Sequence, residues 1–269
     1  MPKGKRLRLS NGRRLVDDVI RVARRQPMAA FSRDMDLTEL CQLRRKIKPR
    51  LSWNALLMKA YAQVAVEMDE LRQVYVNLPW PHLYQAQDNV AMITLAREDQ
   101  GEIRLLFARF QRPEEHSLPQ LQRQLDDYLE QPIESIKQFR HQKQFAALPT
   151  WLRRFGWWVM NDVWPAKRAS HVGTFGMSIS GFNGAFANSA HLGPNATILG
   201  VDPTPRNGIA RVVLTFDHRI LDGKPVIDTL NQLYLKLNGP ILQEMRRLAN
   251  DHAKQQSTGQ AGSIADSAA

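Results

Sequence analysis

The sequence predicts one α/β domain built on a largely buried sheet. Segments with helical and strand periodicity alternate along the chain, with no long block of either kind. Of the 269 residues, 43% are hydrophobic and 23% are charged, an ordinary globular mix that excludes wholesale disorder and low complexity. We expect the domain to span residues 13–248, between a flexible basic arm (residues 1–12) and a disordered tail (residues 249–269).

Helix-start signals recur along the chain. Asp36 with Glu39 and Ser117 with Gln120 have the spacing of a capping box, and Ser52 is a suitable N-cap. The last helix begins near Pro225 and is expected to stop at Asn238-Gly239-Pro240. The predicted helices are Arg13 to Pro27, Asp36 to Leu43, Ser52 to Met68, Ser117 to Tyr128, and Pro225 to Asn238.

Short apolar runs bounded by turn residues predict the strands. A turn-rich REDQGE segment between two such runs indicates a β-hairpin. The predicted strands are Met28–Asp36, Asn89–Ala96, Ile103–Phe110, Gly173–Ser180, Thr197–Val201 and Ile209–Phe216.

Positive charge is concentrated near the N-terminus. The chain carries a net charge of +11, and residues 1–50 hold 15 basic and 5 acidic side chains. Such a region attracts a polyanion, whether nucleic acid, an anionic membrane or a phosphorylated cofactor, or it is simply a solvated face. Nucleic acid is the least favoured of these, because no aromatic platform or reading helix accompanies the basic arm.

The remaining composition places few constraints on chemistry. Cys41 is the single cysteine, which fits a reducing compartment, and no apolar segment follows the basic N-terminus as a secretory signal would require. We therefore expect a cytoplasmic protein. No run approaches the ~18 apolar residues of a spanning helix, and the histidines other than His218 lack metal-ligand spacing, so no metal is expected.

One loop carries the residues that indicate catalysis. DHRILDG (217–223) lies between an apolar strand and an amphipathic helix, so His218 would sit on a rigid strand end that opens to a cleft. An imidazole with a pKa near ~6.5 can take a proton and return it. Asp222 could brace the loop, and Gly223 allows its turn. A purely structural loop histidine is the alternative.

A second segment carries hydroxyl groups. In GTFGMSISG (173–181), Thr174, Ser178 and Ser180 alternate along a predicted strand, and the flanking glycines allow close backbone approach. LGPNATILGV follows before the histidine strand.

Together these segments resemble the catalytic domain of the dihydrolipoamide acyltransferases of 2-oxo acid dehydrogenase complexes, within the chloramphenicol acetyltransferase-like superfamily. DHRILDG is similar to the family's D-H-R-x-x-D-G, and GTFGMSISG to its G-T-F-T-I-S-N-x-G. The resemblance covers about residues 13–245. It implies a two-layer α/β sandwich with a mixed sheet, flanking helices and a homotrimer.

The resemblance also implies roles for individual residues. His218 would be the general base, and Ser178 would donate a hydrogen bond to the oxyanion. Asp222 would be a buried aspartate paired with Arg13 or Arg14, and of these two we favour Arg14. Supporting residues of the same motifs are Asp217, Arg219, Gly223 and Thr174. The implied donor substrate is acyl-coenzyme A, whose phosphates the basic N-terminal region could attract.

Chain length adds an expectation about assembly. Single-chain enzymes of the superfamily contain two such halves with the active site between them, whereas this chain holds one. If it is catalytic, His218 must meet the strand of Ser178 across a subunit boundary, in a closed trimer.

Three departures from the family bear on substrate and function. No lipoyl or subunit-binding domain is expected before residue 13, so a lipoylated carrier, or another thiol or hydroxyl acceptor, would come from a separate molecule. Gly176 and Ile179 replace a threonine and an asparagine beside Ser178, which makes its surroundings less polar.

The third departure is an insertion over about residues 130–169. It gathers tryptophan with basic residues, a composition typical of an interfacial membrane helix or a docking surface. An extra core helix packed on a neighbouring subunit is the other interpretation. The alternative function is thus a non-catalytic trimeric module that binds a membrane or protein through residues 148–168. The residues concerned are Trp151, Arg153, Arg154, Trp157, Trp158, Trp164, Lys167 and Arg168.

Overall fold

The chain forms a mixed β-sheet with helices on both faces, as the computed structural model shows. The structure describes residues 4–5, 7–178, 193–201, 207–252 and 254. The strands are β1 (Met28–Asp36), β2 (Gln73–Val76), β3 (His82–Gln85), β4 (Val90–Asp99), β5 (Glu102–Gln111), β6 (Phe175–Ser178), β7 (Thr197–Val201) and β8 (Ile209–Asp217). The helices are α1 (Asn11–Ala23), α2 (Thr38–Lys46), α3 (Trp53–Glu67), α4 (Leu118–Glu130), α5 (Lys137–Ala147), α6 (Thr150–Trp158), α7 (Pro165–Val172) and α8 (Gly223–Lys236).

The main sheet has six strands in the order β1-β8-β7-β6-β4-β5. β6 runs parallel to its neighbours β4 and β7, and the other pairs are antiparallel. β5 and β1 are the edge strands. The hairpin predicted around REDQGE is confirmed as β4–β5, with Asp99 opposite Glu102.

Alternate residues along each strand face two different layers. On one side, which we call the core face, Ile93, Phe175 and Leu214 pack into the main hydrophobic core. Helices α3, α4 and α8 supply the rest of that core, and the Tyr61 ring of α3 lies 4.7 Å from that of Phe175, between centroids. The other side, the open face, is turned toward α1 and α5, which contact β5 and each other.

Two predicted helix starts are confirmed and one is wrong. The Ser52 hydroxyl accepts a hydrogen bond from the Ala55 N–H at 3.2 Å, and Ser117 with Gln120 forms the full capping box. The box predicted for Asp36 and Glu39 does not form. The N-cap residue of α2 is Leu37, which makes no side-chain capping bond. Asp36 instead accepts hydrogen bonds from the backbone N–H and the hydroxyl of Thr38.

The predicted end of the last helix is also wrong. A π-helical turn over Leu237–Ile241 carries the chain past Pro240, and helical backbone continues over 242–252. A wider π turn accommodates a proline that has no N–H to donate. Leu237, Ile241 and Met245 are all fully buried, so their packing outweighs the break. The helix thus takes in the first residues of the predicted tail, and residues 255–269 lie outside the described part.

The insertion forms helices that pack on the same chain. Gln138 and Gln142 of α5 bond to the backbone of Phe107 in the edge strand β5, through N–H and C=O groups at 2.6–3.0 Å. Arg153 of α6 makes a buried ion pair with Asp18 of α1, 2.6 Å between Nε and Oδ2. The insertion is therefore part of the fold of its own chain.

Candidate active site

His218 lies immediately beyond β8, as the sequence predicts. Its backbone N–H donates to the Pro27 carbonyl at 3.0 Å, which ties the loop to the start of β1. The imidazole packs beside Phe216, with 5.6 Å between ring centroids, and its side chain is 54% exposed. The backbone is thus fixed while the ring stays open to a substrate, which a general base needs.

The buried carboxylate of Asp217 anchors the His218 loop. Asp217 is fully buried and binds Arg219 in bidentate fashion, at 2.9 Å to Nε and 2.6 Å to Nη2. It also accepts from the Arg219 backbone N–H at 3.1 Å and from the Gln26 amide at 3.4 Å. The Arg219 guanidinium stacks on Tyr75, 4.2 Å from the ring centroid. Charge-assisted bidentate bonds of this kind hold a loop in one geometry.

Arg168 is a buried cation beside this pair, within the insertion for which the sequence left a surface and a core helix both open. Its guanidinium donates to the carbonyls of Tyr75 at 2.9 Å and Pro194 at 2.6 Å. Burial lowers the pKa of Arg168 to about 10, and the nearby charge of Asp217 works in the opposite direction. No motif signalled this contact, because residues 75, 168, 194 and 217 come from separate segments.

The expected role of Asp222 as a buried aspartate is not met in the single chain. Its side chain is 83% exposed at the start of α8, with Oδ1 3.4 Å from the His218 Nδ1. Arg14 lies in the first turn of α1, whereas the His218 loop touches the chain beyond the other end of that helix. The predicted pair of Arg14 or Arg13 with Asp222 is therefore absent among the described residues. Asp217 occupies the buried position instead.

Ser178 is the last described residue of β6 and lies on the open face of the sheet. Thr174, four residues earlier, is fully buried, and its hydroxyl accepts from the Val90 N–H at 3.0 Å, which fixes the start of β6 against β4. Gly173 before it has φ +94°, and a Cβ there would lie 2.8 Å from the Val90 oxygen, so the position requires glycine. Ile179, expected to alter the surroundings of Ser178, lies outside the described residues.

Gly223 opens α8 without needing glycine's conformational freedom. A Cβ built on it would be in ordinary contact with the ring of Phe31 at 3.4 Å. The residue provides room beside the His218 loop and does not strain its backbone.

Ser178 borders a cavity of about 790 Å³, which we call the roofed pocket. The floor is the open face of β4, β5 and β6, and the roof comes from α1, α5 and α6. Its wall is mostly apolar, with Leu15, Val19 and Phe145 on the roof. Polar side chains on the wall include Arg109, His141 and His171.

A smaller cleft lies beside the His218 loop. It has a volume of about 170 Å³, and Asp18 and Asp162 offset part of the positive charge on its wall. The basic residues on that wall are Arg21, Arg25, Arg154, Arg168 and Arg219.

One chain does not bring Ser178 and His218 together. Ser178 lies opposite Gly200 of β7, and Gly200 lies opposite Val213 of β8. His218 follows Val213 by five residues, which is about 16 Å along a strand, and two strand spacings separate β6 from β8. The two side chains therefore belong to opposite ends of the sheet in a single chain.

The insertion divides into buried and exposed parts. Arg153 and Arg168, expected with the surface cluster, are buried. Four aromatic side chains are exposed and form what we call the aromatic patch, which includes the Phe155–Trp158 ring pair at 5.8 Å. The patch consists of Trp151, Phe155, Trp158 and Trp164.

Two kinds of feature are absent from the described part of the chain. None of its helices combines the length and apolarity needed to cross a bilayer. Over the same residues, no three His, Cys, Asp or Glu side chains form a group that could hold a metal ion.

Comparison with solved structures shows the fold of dihydrolipoamide acetyltransferase catalytic cores, which confirms the predicted fold class. The chain is similar to the probable dihydrolipoamide acetyltransferase of Listeria monocytogenes, with a TM-score of 0.62 and 19% identity over 87% of this chain and 94% of that one. It is similar to the Azotobacter vinelandii dihydrolipoamide acetyltransferase, with a TM-score of 0.64 and 17% identity over 89% and 94%.

A third similar structure is the truncated catalytic core of the 2-oxoacid dehydrogenase multienzyme complex from Thermoplasma acidophilum. It gives a TM-score of 0.63 and 16% identity over 88% of this chain and 99% of that one. No protein-family model and no curated protein matches the sequence. The likeness is thus one of fold.

Proposed function

We propose that this protein is an acyltransferase that moves an acyl group from acyl-coenzyme A to a thiol or hydroxyl acceptor. The observation that carries the proposal is the half-exposed His218 imidazole on a loop anchored by the buried Asp217 and its partner Arg219. The Azotobacter enzyme supports it, since a serine, a histidine and an asparagine are studied there for their role in the catalytic mechanism. That histidine and asparagine are four positions apart, as His218 and Asp222 are here.

The proposed reaction has two proton transfers. The Asp222 carboxylate near Nδ1 favours a proton on that nitrogen, which leaves Nε2 of His218 to take the proton of the acceptor. The acceptor sulfur or oxygen attacks the thioester carbonyl, and the Ser178 hydroxyl donates to the resulting oxyanion. The C–S bond then breaks, and His218 returns its proton to the departing coenzyme A thiolate.

Two chains are needed for this reaction. Because Ser178 and His218 lie at opposite ends of one sheet, His218 of one protomer would act with Ser178 of its neighbour. A heterologous contact of this kind closes into a ring when the rotation allows it. We therefore propose a homotrimer with the active sites between protomers.

The small basic cleft would receive the phosphates of coenzyme A. Arg21 and Arg25 belong to the strongly basic first 50 residues, and they share the cleft with Arg219 of the catalytic loop. Arginine binds phosphate through parallel hydrogen bonds. The acceptor remains a thiol or hydroxyl on a separate molecule, such as a lipoylated carrier, and no metal takes part in the proposed steps.

The direct test replaces His218 by alanine and measures release of the coenzyme A thiol from acyl-coenzyme A in the presence of a dithiol acceptor. We expect a loss of about 100- to 10,000-fold, the usual contribution of a general base. His116→Ala removes another partly exposed imidazole and is the control for activity, while thermal melts control for folding. Activity that survives in a folded His218→Ala protein would refute the mechanism.

A second candidate function rests on the aromatic patch. Trp151, Phe155 and Trp158 are spaced to lie along one face of α6, and Arg154 and Lys167 near them are exposed. Aromatic side chains beside cations suit the interface of an anionic membrane. The protein would then be a docking module, with or without catalysis.

The test is sedimentation with vesicles that contain or lack anionic lipid. We expect binding to the anionic vesicles, and loss of it when Trp151, Phe155, Trp158 and Trp164 are changed to serine. These substitutions leave the buried Arg153 and Arg168 in place, which a deletion of residues 148–168 would not. Binding that is equal in the two proteins would rule out the patch as the contact.

A further inference from the structure

We propose that the roofed pocket holds the alkyl chain of a medium- or long-chain acyl group. This inference rests on the acyltransferase function proposed above and names the class of its substrate. Ser178, whose hydroxyl would face the thioester carbonyl, borders the pocket, so the chain attached to that carbonyl can enter it directly.

Gly176 and the Asn195 side chain packed against it form the floor of the pocket beside Ser178. Gly176 precedes Ser178 by two residues and so lies on the same face of β6. A side chain there would meet the Asn195 amide, because a Cβ added to Gly176 would lie 3.0 Å from its Oδ1. The resemblance leads one to expect a threonine at this position, whereas glycine leaves the space next to the reacting group to the Asn195 side chain.

The roof is apolar and fixed in place. Leu15, Phe145 and Met160 contribute apolar side chains from α1, α5 and the π-helical turn after α6. The hydrogen bonds of Gln138 and Gln142 hold α5 to β5, and the buried Asp18–Arg153 pair holds α6 to α1. The insertion therefore covers part of the open face of the sheet and is held there by these contacts.

Size and polarity select the ligand. A volume of about 790 Å³ is that of a drug-sized site, and an acetyl group would leave most of it unfilled. Apolar walls offer few partners to ordered water. The polar wall residues include Arg109 and Lys137, which suit a neutral chain joined to an anionic carrier and disfavour a cationic ligand.

The experiment is calorimetric titration of the whole protein with acetyl-, hexanoyl-, octanoyl- and decanoyl-coenzyme A. We expect the dissociation constant to fall about fourfold for each added methylene until the pocket is full. Thr94→Phe, which places a ring on the pocket floor, should abolish the gain for the longer chains. The matched control is Ile103→Phe, which adds a ring to an exposed position on the neighbouring strand β5 and should change nothing.

The outcomes separate this inference from the proposed function. Equal affinities for acetyl- and decanoyl-coenzyme A, or a Thr94→Phe profile like that of the wild type, would overturn the inference even if His218→Ala abolishes transfer. Free decanoate that binds more tightly than decanoyl-coenzyme A would assign the pocket to a fatty acid and also overturn it. A chain-length profile that persists while His218→Ala stays active would instead refute the proposed mechanism alone.

Discussion

At the scale of single residues, the two aspartates of the His218 loop have different tasks. Asp217 is buried among Arg219, Arg168 and Gln26, whereas Asp222 is exposed near the imidazole. Removing one member of a buried charge pair leaves the other charge unpaired in a poorly solvated place. Removing an exposed partner has no such consequence.

Asp217→Asn is therefore expected to destabilise the protein strongly, by about 3–5 kcal/mol, as for other broken buried pairs. Denaturant-induced unfolding followed by circular dichroism measures this. Asp222→Asn is the matched variant, and its effect on unfolding should stay within the small range of surface substitutions. Similar losses in the two variants would show that the burial difference does not govern the stability of the loop.

The sequence located the catalytic candidates at this scale but not their support. His218 lies just beyond a strand, as its flanking apolar run predicts, and Ser178 lies in the predicted serine strand. In the single chain Asp217, and not Asp222, is the buried aspartate of the loop, and a motif does not record which carboxylate turns inward. Arg168 comes from the insertion, whose composition fits either a surface or a core helix, and only tertiary contacts reveal it as buried.

At the scale of elements, α5 protects the edge of the main sheet. An exposed edge strand presents free N–H and C=O groups that can recruit other chains. At this edge the Phe107 N–H donates to the side chain of Gln142, and the Phe107 carbonyl accepts from the side chains of Gln138 and Gln142. The same contacts hold α5 in place as part of the roof of the roofed pocket. Protection of the sheet edge and formation of the pocket therefore both depend on α5.

The double variant Gln138→Leu/Gln142→Leu should lower the free energy of unfolding by about 2 kcal/mol, because the backbone N–H and C=O of Phe107 lose their hydrogen-bond partners. It should also speed hydrogen exchange at Phe107. Gln144→Leu, on the exposed side of α5, is the control and should leave both quantities unchanged. Unaltered exchange at Phe107 in the double variant would mean that α5 does not shield the edge strand.

Element prediction succeeded where the local pattern decides the structure. β1 and β7 have the predicted bounds, because each is a short apolar-rich run closed by turn or polar residues. β2 and β3 were missed, since Gln73–Val76 follows a helical run with only a short turn between. Pro240 signalled a stop that buried neighbours override. The sheet order and the roof over it involve distant segments, which periodicity does not encode.

At the scale of the whole molecule, the separation of Ser178 from His218 is the feature with the widest consequence. A chain that carries the two groups at opposite ends of its sheet can use both only by meeting a copy of itself. In a closed ring, each site then takes its serine from one protomer and its histidine from the next. Under the proposed function, catalysis therefore depends on assembly.

This arrangement can be tested by mixing two inactive proteins. Ser178→Ala and His218→Ala are each expected to lose activity, yet a mixed ring contains sites that take an intact serine from one variant and an intact histidine from the other. With equal amounts and random exchange, about a quarter of the sites would be complete. We therefore expect the mixture, after partial unfolding and refolding together, to recover about a quarter of the wild-type rate of coenzyme A release. Each variant refolded alone is the control. If the mixture stays as inactive as its parts, the two groups do not act across a subunit boundary, and the trimeric site is wrong.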